Sequence, residues 1–143
     1  MKKIMIALSL MITLTASAFS GEERVDQQVL NAFKKEFTTA KDVAWEAGEN
    51  FYQASFEYEG ERVFAFYNTK AELLAISRHI LSTELPQFLQ KKVKKNYAEY
   101  WIADLFEVTT DEGTSYYITL QNADEKIFLE SKNQHFWEPF RRY

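Results

Sequence analysis

The chain has 143 residues, no cysteine and a formal net charge of −4 at pH 7. Its length suits one domain with a real hydrophobic core, and the lack of cysteine excludes disulfides and a lipid attached to cysteine. An acidic chain whose densest basic stretch is Lys91-Lys92 with Lys94-Lys95 is a poor nucleic-acid binder. We expect these four lysines on the solvated face of a helix.

The N-terminus has the three parts of a secretory signal peptide. Lys2 and Lys3 form a basic start, residues 4–14 are apolar, and residues 16–18 (Ala-Ser-Ala) form a small-residue cleavage site. Because the apolar run is shorter than the roughly 20 residues that span a bilayer, we predict a cleaved signal at residues 1–18. Removing it leaves 125 of 143 residues and takes the net charge from −4 to −6, since two lysines leave with it. The mature chain is then expected to be periplasmic or secreted, with no transmembrane segment.

Residues 51–78 carry the clearest strand pattern in the chain. Their sequence is FYQASFEYEGERVFAFYNTKAELLAISR, in which apolar and polar positions alternate with a period of two. Glu59-Gly60 is a tight-turn signal, because glycine reaches positive φ without a Cβ clash. The three runs and their polar connections predict an antiparallel meander.

A related pattern returns 64 positions later, and each copy follows an amphipathic segment with helical spacing. The first predicted helix is 25–37, and the second opens at Ser82 to Pro86. The sequence therefore predicts an α+β fold in which a helix followed by an antiparallel meander of about four strands occurs as a tandem repeat, with the helices on one side of the sheet. Residues 19–143 would form one domain with repeats at about 25–80 and 83–143. The matched apolar positions are Tyr52/Tyr116, Ala54/Ile118, Phe56/Leu120 and Val63/Ile127.

The face of the predicted sheet that points away from the helices is unusually aromatic. Exposed apolar patches often mark binding sites, although the same residues could be hidden between the two repeats or in a dimer, and the oligomeric state stays open. If the face binds a partner, Phe64→Ala and Phe66→Ala should destabilise the fold much less than Phe56→Ala does. The predicted partner-binding residues are Phe51, Phe64, Phe66, Tyr117 and Phe128.

Signals for catalysis and metal binding are weak. The two histidines, His79 and His135, do not correspond through the repeat, and no serine lies in a nucleophile elbow. The carboxylate pairs Asp111-Glu112 and Asp124-Glu125 lack the spacing of a calcium loop. We therefore predict no catalytic residue, no metal and no cofactor, and we expect His79 to be a surface or partner-facing residue.

Together these motifs resemble the PepSY-like, β-lactamase-inhibitor-like proteins of the bacterial envelope. The resemblance rests on Trp45, the Tyr-x-Ala-x-Phe run at 52–56, the turn at Gly60, the helix start Leu85-Pro86 and the run 116–118, and it covers about residues 25–142. It implies an exported α+β protein, in a family mostly of unknown function, whose named inhibitors grip a protein partner with an open sheet face. This chain lacks their disulfides, so inhibition of a lactamase in particular is not implied.

Two functions follow as hypotheses. The first is an exported, non-enzymatic binding or inhibitory module that acts through the aromatic sheet face on an envelope protein or peptide. The alternative is a small-ligand-binding or enzymatic scaffold with a pocket between the helices and the sheet. A deep pocket with convergent polar groups would favour the alternative, whereas a filled core and a broad aromatic face would favour the first.

Overall fold

One antiparallel sheet of eight strands organises the part of the chain that the structure describes. The structure is a computed structural model and describes residues 21–140, so the predicted signal peptide lies outside the described residues. Strand order in the sheet follows chain order from β1 to β8. The elements are α1 Gln27–Glu36, β1 Lys41–Ala47, β2 Phe51–Tyr58, β3 Glu61–Asn68, β4 Leu73–His79, α2 Gln87–Asn96, β5 Trp101–Thr110, β6 Gly113–Gln121, β7 Lys126–Ser131 and β8 Glu138–Pro139.

The predicted α+β fold of two tandem repeats is wrong. β4 pairs with β5 from Ile76↔Thr109 to His79↔Phe106, so the backbone ladder continues through the middle of the chain. The result is a single sheet that carries two helices, and a tandem repeat of a helix and a four-strand meander is not shown. The 64-residue offset misled because successive hairpins of one meander share the same period-two alternation.

Short turns keep β1 to β4, and β5 to β7, in chain order, whereas the connection from β4 to β5 contains α2. Between β2 and β3 only Glu59 and Gly60 lie outside the ladder, and both have positive φ, 52° and 84°. Two positive φ values make the turn type whose twist matches that of the flanking strands. Between β3 and β4 the Asn68 side-chain oxygen accepts hydrogen bonds from the backbone N–H groups of Lys70 and Glu72, at 2.9 and 3.0 Å. Each turn therefore returns the chain beside the strand it has just left.

Both helices pack on the same face of the sheet, which we call the covered face. In α1 the helical spacing of Val29, Leu30 and Phe33 buries one side of the helix. The Phe33 ring lies 5.1 Å from Trp45 and 4.9 Å from Phe56, both in edge-on geometry. Full burial of each such side chain contributes about 1.5–3 kcal/mol, so this aromatic cluster anchors α1.

The second helix closes a separate core cluster further along the sheet. Leu89 of α2 is fully buried, and the Trp137 indole N–H donates to the Leu89 carbonyl at 3.2 Å. The C-terminal segment therefore packs beside α2 as well as pairing with β7. The strand residues of this cluster are Leu105, Tyr116, Ile118, Leu120 and Leu129. Neither helix within residues 21–140 has the length and apolar character needed to cross a membrane.

An arginine joins the two clusters on the covered face. Arg78 Nε donates to Glu107 at 2.7 Å, and Nη1 donates to Glu61 at 3.0 Å and to Glu84 at 3.2 Å. The hydrogen bond to Glu107 raises the pKa of Arg78, so the guanidinium stays charged. The Leu81 backbone N–H, with Arg78, lowers the pKa of Glu84. One guanidinium thus ties β3, β5 and the segment before α2 to β4.

Candidate partner-binding face

The sheet side opposite the helices, which we call the open face, carries a third apolar cluster. The register brings Phe64 opposite Ser77, Phe66 opposite Ala75, and Phe106 opposite Tyr117. Its buried members are Phe66, Ala75, Phe106 and Val108, and its partly buried members are Phe51, Phe64, Leu74, Tyr117 and Phe140.

The structure places all five predicted partner-binding residues on the open face. Phe51, Phe64, Phe66 and Tyr117 belong to the cluster, and Phe128 lies opposite Thr119 on the same side. Period-two alternation was sufficient for this assignment, because successive side chains of a strand point to opposite faces of the sheet.

Large and small side chains alternate across the centre of this face. On β4, Ala75 and Ser77 are buried although they are small, because they lie between two β3 rings, Phe64 and Phe66, and two β5 side chains, Phe106 and Val108. Phe66 is only 5% exposed. Because this ring belongs to a packed centre, its burial argues against the expectation that Phe66→Ala would be mild.

Close backbone approach positions Phe51 at one end of the face. A Cβ at Gly48 would lie 1.9 Å from the Phe51 ring, a separation that no real Cβ contact shows. Glycine at position 48 is thus what lets the ring lie against the end of β1. The Gly48 N–H also donates to the Phe51 carbonyl at 2.8 Å, which closes the turn between β1 and β2.

Stacked rings form the other half of the face. Phe106 and Tyr117 are stacked with centroids 5.4 Å apart, and Phe140 meets Tyr117 edge-on at 5.4 Å. Such pairs contribute about 0.5–1.5 kcal/mol each beyond their buried area. Burial, with the nearby Glu130 carboxylate, raises the pKa of Tyr117 to about 12. The phenol is therefore neutral at physiological pH and keeps its hydrogen as a donor.

A histidine–aspartate pair lies at the exposed rim of the cluster. His79 Nδ1 is 3.0 Å from Asp104 Oδ1, and the His79 side chain is 61% exposed. The imidazole sits between the rings of Phe64 and Phe106, at 6.2 and 6.1 Å. A catalytic dyad would need an accessible nucleophile beside it, yet the neighbouring Ser77 is buried. The pair instead presents polar groups to solvent beside the aromatic centre.

Sequence reasoning missed Asp104 as a member of this site. Its position depends on the pairing of β4 with β5 and on a register irregularity between Ile102 and Asp104. Both features arise between strands far apart in the sequence, so no local pattern could reveal them. The sequence predicted that His79 is a surface or partner-facing residue. It did not predict that the imidazole lies between the rings of Phe64 and Phe106.

The space between the helices and the sheet is filled by the two core clusters. A cavity of about 120 Å³ lies between α2 and the C-terminal segment, lined by Lys92, Asn96, Tyr97, Phe136 and Trp137. Sites for small-molecule ligands usually measure about 300–1,000 Å³. Within residues 21–140, no three His, Cys, Asp or Glu side chains are grouped so as to hold a metal ion. Nothing in this region favours the small-ligand alternative.

Several solved structures from Bacteroides have the same fold. A BLIP-like protein from Bacteroides fragilis superposes with a TM-score of 0.70 at 17% identity, over 80% of this chain and 83% of that chain. This fold is BLIP-like. A DUF2874 family protein from Bacteroides ovatus has a TM-score of 0.73 at 18% identity, over 79% of this chain and 84% of that chain. A proposed periplasmic protein from Bacteroides eggerthii has a TM-score of 0.73 at 17% identity, over 79% and 85% of the two chains.

Similarity at these identities shows the fold alone. It supports the BLIP-like part of the resemblance drawn from the sequence and does not support the PepSY-like part. No protein-family model matches the chain, and comparison with curated proteins finds no significant match.

Proposed function

We propose that the chain is an exported, non-enzymatic binding module that recognises an envelope protein or peptide through its open face. The observation that carries the proposal is the aromatic cluster opposite the helices, with a buried centre at Phe66 and Phe106 and partly exposed rings around it. Protein interfaces commonly have an apolar, aromatic-rich centre inside a polar rim. An inhibitory role is the finer form of the same proposal.

The rim indicates the chemistry of the partner. Asp104 adjoins the cluster through His79, and Glu130 lies opposite Tyr117 on one side and Glu138 on the other. Lys132 pairs with Glu130 at 3.3 Å, so Asp104 and Glu138 are the rim carboxylates that a partner could meet. We propose a partner segment that places an apolar side chain on the rings and a basic side chain near Asp104 or Glu138, because complementary charge favours correct docking and faster association.

The proposed location is the periplasm or the medium. The tripartite N-terminus supports export, and one structural neighbour is described as a proposed periplasmic protein. A protein partner is supported by the BLIP-like description of another neighbour. Both neighbours are distant in sequence, so these points support the proposal without identifying the partner.

The test is capture of a partner from a soluble envelope extract of the native organism by wild type and by three single variants. Phe64→Ala and Tyr117→Ala remove partly buried rings from the open face. Leu81→Ala is the matched control, because it removes an apolar side chain that is 70% exposed in the connection before α2. We expect one protein to be retained by wild type and by Leu81→Ala and to be lost with both open-face variants.

Hydrogen exchange then locates the bound partner on the sheet. We expect slower amide exchange in β3 to β6 when the captured protein is present, since these strands carry the centre of the face. Capture that survives both open-face substitutions, or that Leu81→Ala abolishes equally, would show that the open face is not the binding surface.

A further inference from the structure

The outer side of α2 carries a second candidate binding surface, which is separate from the open face. Its residues combine lysines with exposed rings on the opposite side of the molecule from the open face. We call it the basic–aromatic surface, and it comprises Phe88, Lys91, Lys92, Lys95, His135 and Phe136.

Helix geometry places four of these residues together. Phe88, Lys91, Lys92 and Lys95 are spaced i, i+3, i+4 and i+7, so they share one side of α2. Phe88 is 51% exposed, whereas its neighbour Leu89 faces the core and is fully buried. The Lys92 ammonium lies 5.6 Å from the centre of the Phe88 ring. A hydrophobic ring is thus held at the surface among cations.

The C-terminal segment extends the same surface. The His135 ring lies 6.0 Å from Phe88 and 6.4 Å from Phe136, and Phe136 is 58% exposed. The Asn133 side-chain oxygen accepts hydrogen bonds from the backbone N–H groups of His135 and Phe136, at 3.0 and 3.1 Å. This turn keeps the two rings beside α2.

Charge is strongly segregated onto this helix. α2 contains four lysines and no acidic residue, so the other residues carry −8 against −4 for the whole chain. The first helix also packs on the covered face, yet the second residue of α1 is Gln28 where α2 has Phe88, and α1 ends on Glu36. Packing on the sheet therefore does not require the exposed ring or the excess of lysines.

We propose that the basic–aromatic surface binds an anionic lipid bilayer, in addition to the protein binding proposed for the open face. Aromatic rings favour the headgroup region, and juxtaposed lysines are attracted by anionic lipids. The lysine stems can cover apolar surface while their ammonium groups reach the phosphates. α2 would lie along the bilayer, and the open face on the other side of the sheet would stay free for its partner.

The test is cosedimentation of the exported protein with vesicles of phosphatidylcholine that contain phosphatidylglycerol, beside vesicles of pure phosphatidylcholine. We expect binding only to the anionic vesicles and its loss at high salt, because added salt screens exposed charges. Each neutralised lysine should weaken binding about fivefold, so the double variant Lys91→Gln/Lys95→Gln should lose about twenty-five-fold. Phe88→Gln should lose about tenfold.

The matched control is Lys34→Gln/Lys35→Gln in α1, which makes the same change in net charge on the other helix. It should bind anionic vesicles as wild type does. All variants are prepared with the same N-terminus, so that they differ only at the substituted positions. These exposed positions should change stability by no more than about 0.5 kcal/mol. Equal binding to both vesicle types, equal losses in the two double variants, or binding to polyglutamate with none to vesicles would overturn the proposal.

Discussion

The two faces of the sheet bury aromatic side chains in different ways. On the covered face Phe56 is fully buried because α1 lies over it, with Phe33 4.9 Å away. On the open face Phe66 is nearly as buried, yet its cover comes from neighbouring strands and from the small residues Ala75 and Ser77. A sheet face can thus pack its own centre and still leave partly exposed rings for a partner.

The two faces can also be compared through the burial of one tyrosine on each. Burial raises the pKa of Tyr67 on the covered face to about 12, with a smaller contribution from Glu36. Burial raises the pKa of Tyr117 on the open face to about 12 as well, with a contribution from Glu130. Tyr67 is 2% exposed, whereas Tyr117 is only partly buried. The hydroxyl on the open face therefore combines partial burial with the nearby Glu130 carboxylate, whereas the hydroxyl under the helix is shielded mainly by burial.

The largest effect is expected from Phe56→Ala. The ring contacts Phe33 and Phe37 of the first helical segment, so its removal leaves a cavity under α1. Such core truncations cost about 3–5 kcal/mol, to be measured by denaturant unfolding. Phe136→Ala is the control, because it removes an exposed ring and should cost less than about 0.5 kcal/mol. A comparably small cost for Phe56→Ala would mean that α1 does not depend on this cluster.

Phe66→Ala should have an intermediate effect on the free energy of unfolding. It is the most informative variant for comparing the two faces of the sheet. The ring is buried but has a layer of protein on one side only, so we expect a loss of about 2–3 kcal/mol in the free energy of unfolding. Phe64→Ala, at a partly buried position, should cost less than Phe66→Ala in the same experiment. A value near zero for Phe66→Ala would break the comparison, since the centre of the open face would then contribute nothing to the fold.

The smallest effect at neutral pH is expected from Tyr117→Phe, and it should grow at alkaline pH. A folded pKa of about 12 lies above the ordinary value of 10.0, so ionisation is favoured in the unfolded chain. The resulting stability is present below pH 10 and is lost as the pH rises towards 12. Unfolding measured across this range should fall less steeply for Tyr117→Phe than for wild type. Identical slopes would mean that the open face does not shield this hydroxyl.

Local patterns determined much of this protein. The turn at Glu59-Gly60 and the placement of Phe64 on the open face follow from residue conformation and period-two alternation, which involve only neighbours in the chain. The predicted helix at 25–37 corresponds to α1 at Gln27–Glu36, because its apolar spacing is also local. Such features depend on residues close in the sequence and not on how distant strands pair.

Tertiary structure alone decided how these pieces combine. The pairing of β4 with β5 made one sheet instead of two repeats, and it brought His79 beside Asp104. It also placed Glu107 against Arg78, and it buried Phe66 between strands. Each of these contacts joins residues that no periodicity relates, and its strength depends on neighbours supplied by other strands. Patterns within one segment could therefore predict which face of the sheet a side chain lies on. They could not predict how deeply the side chain is buried there.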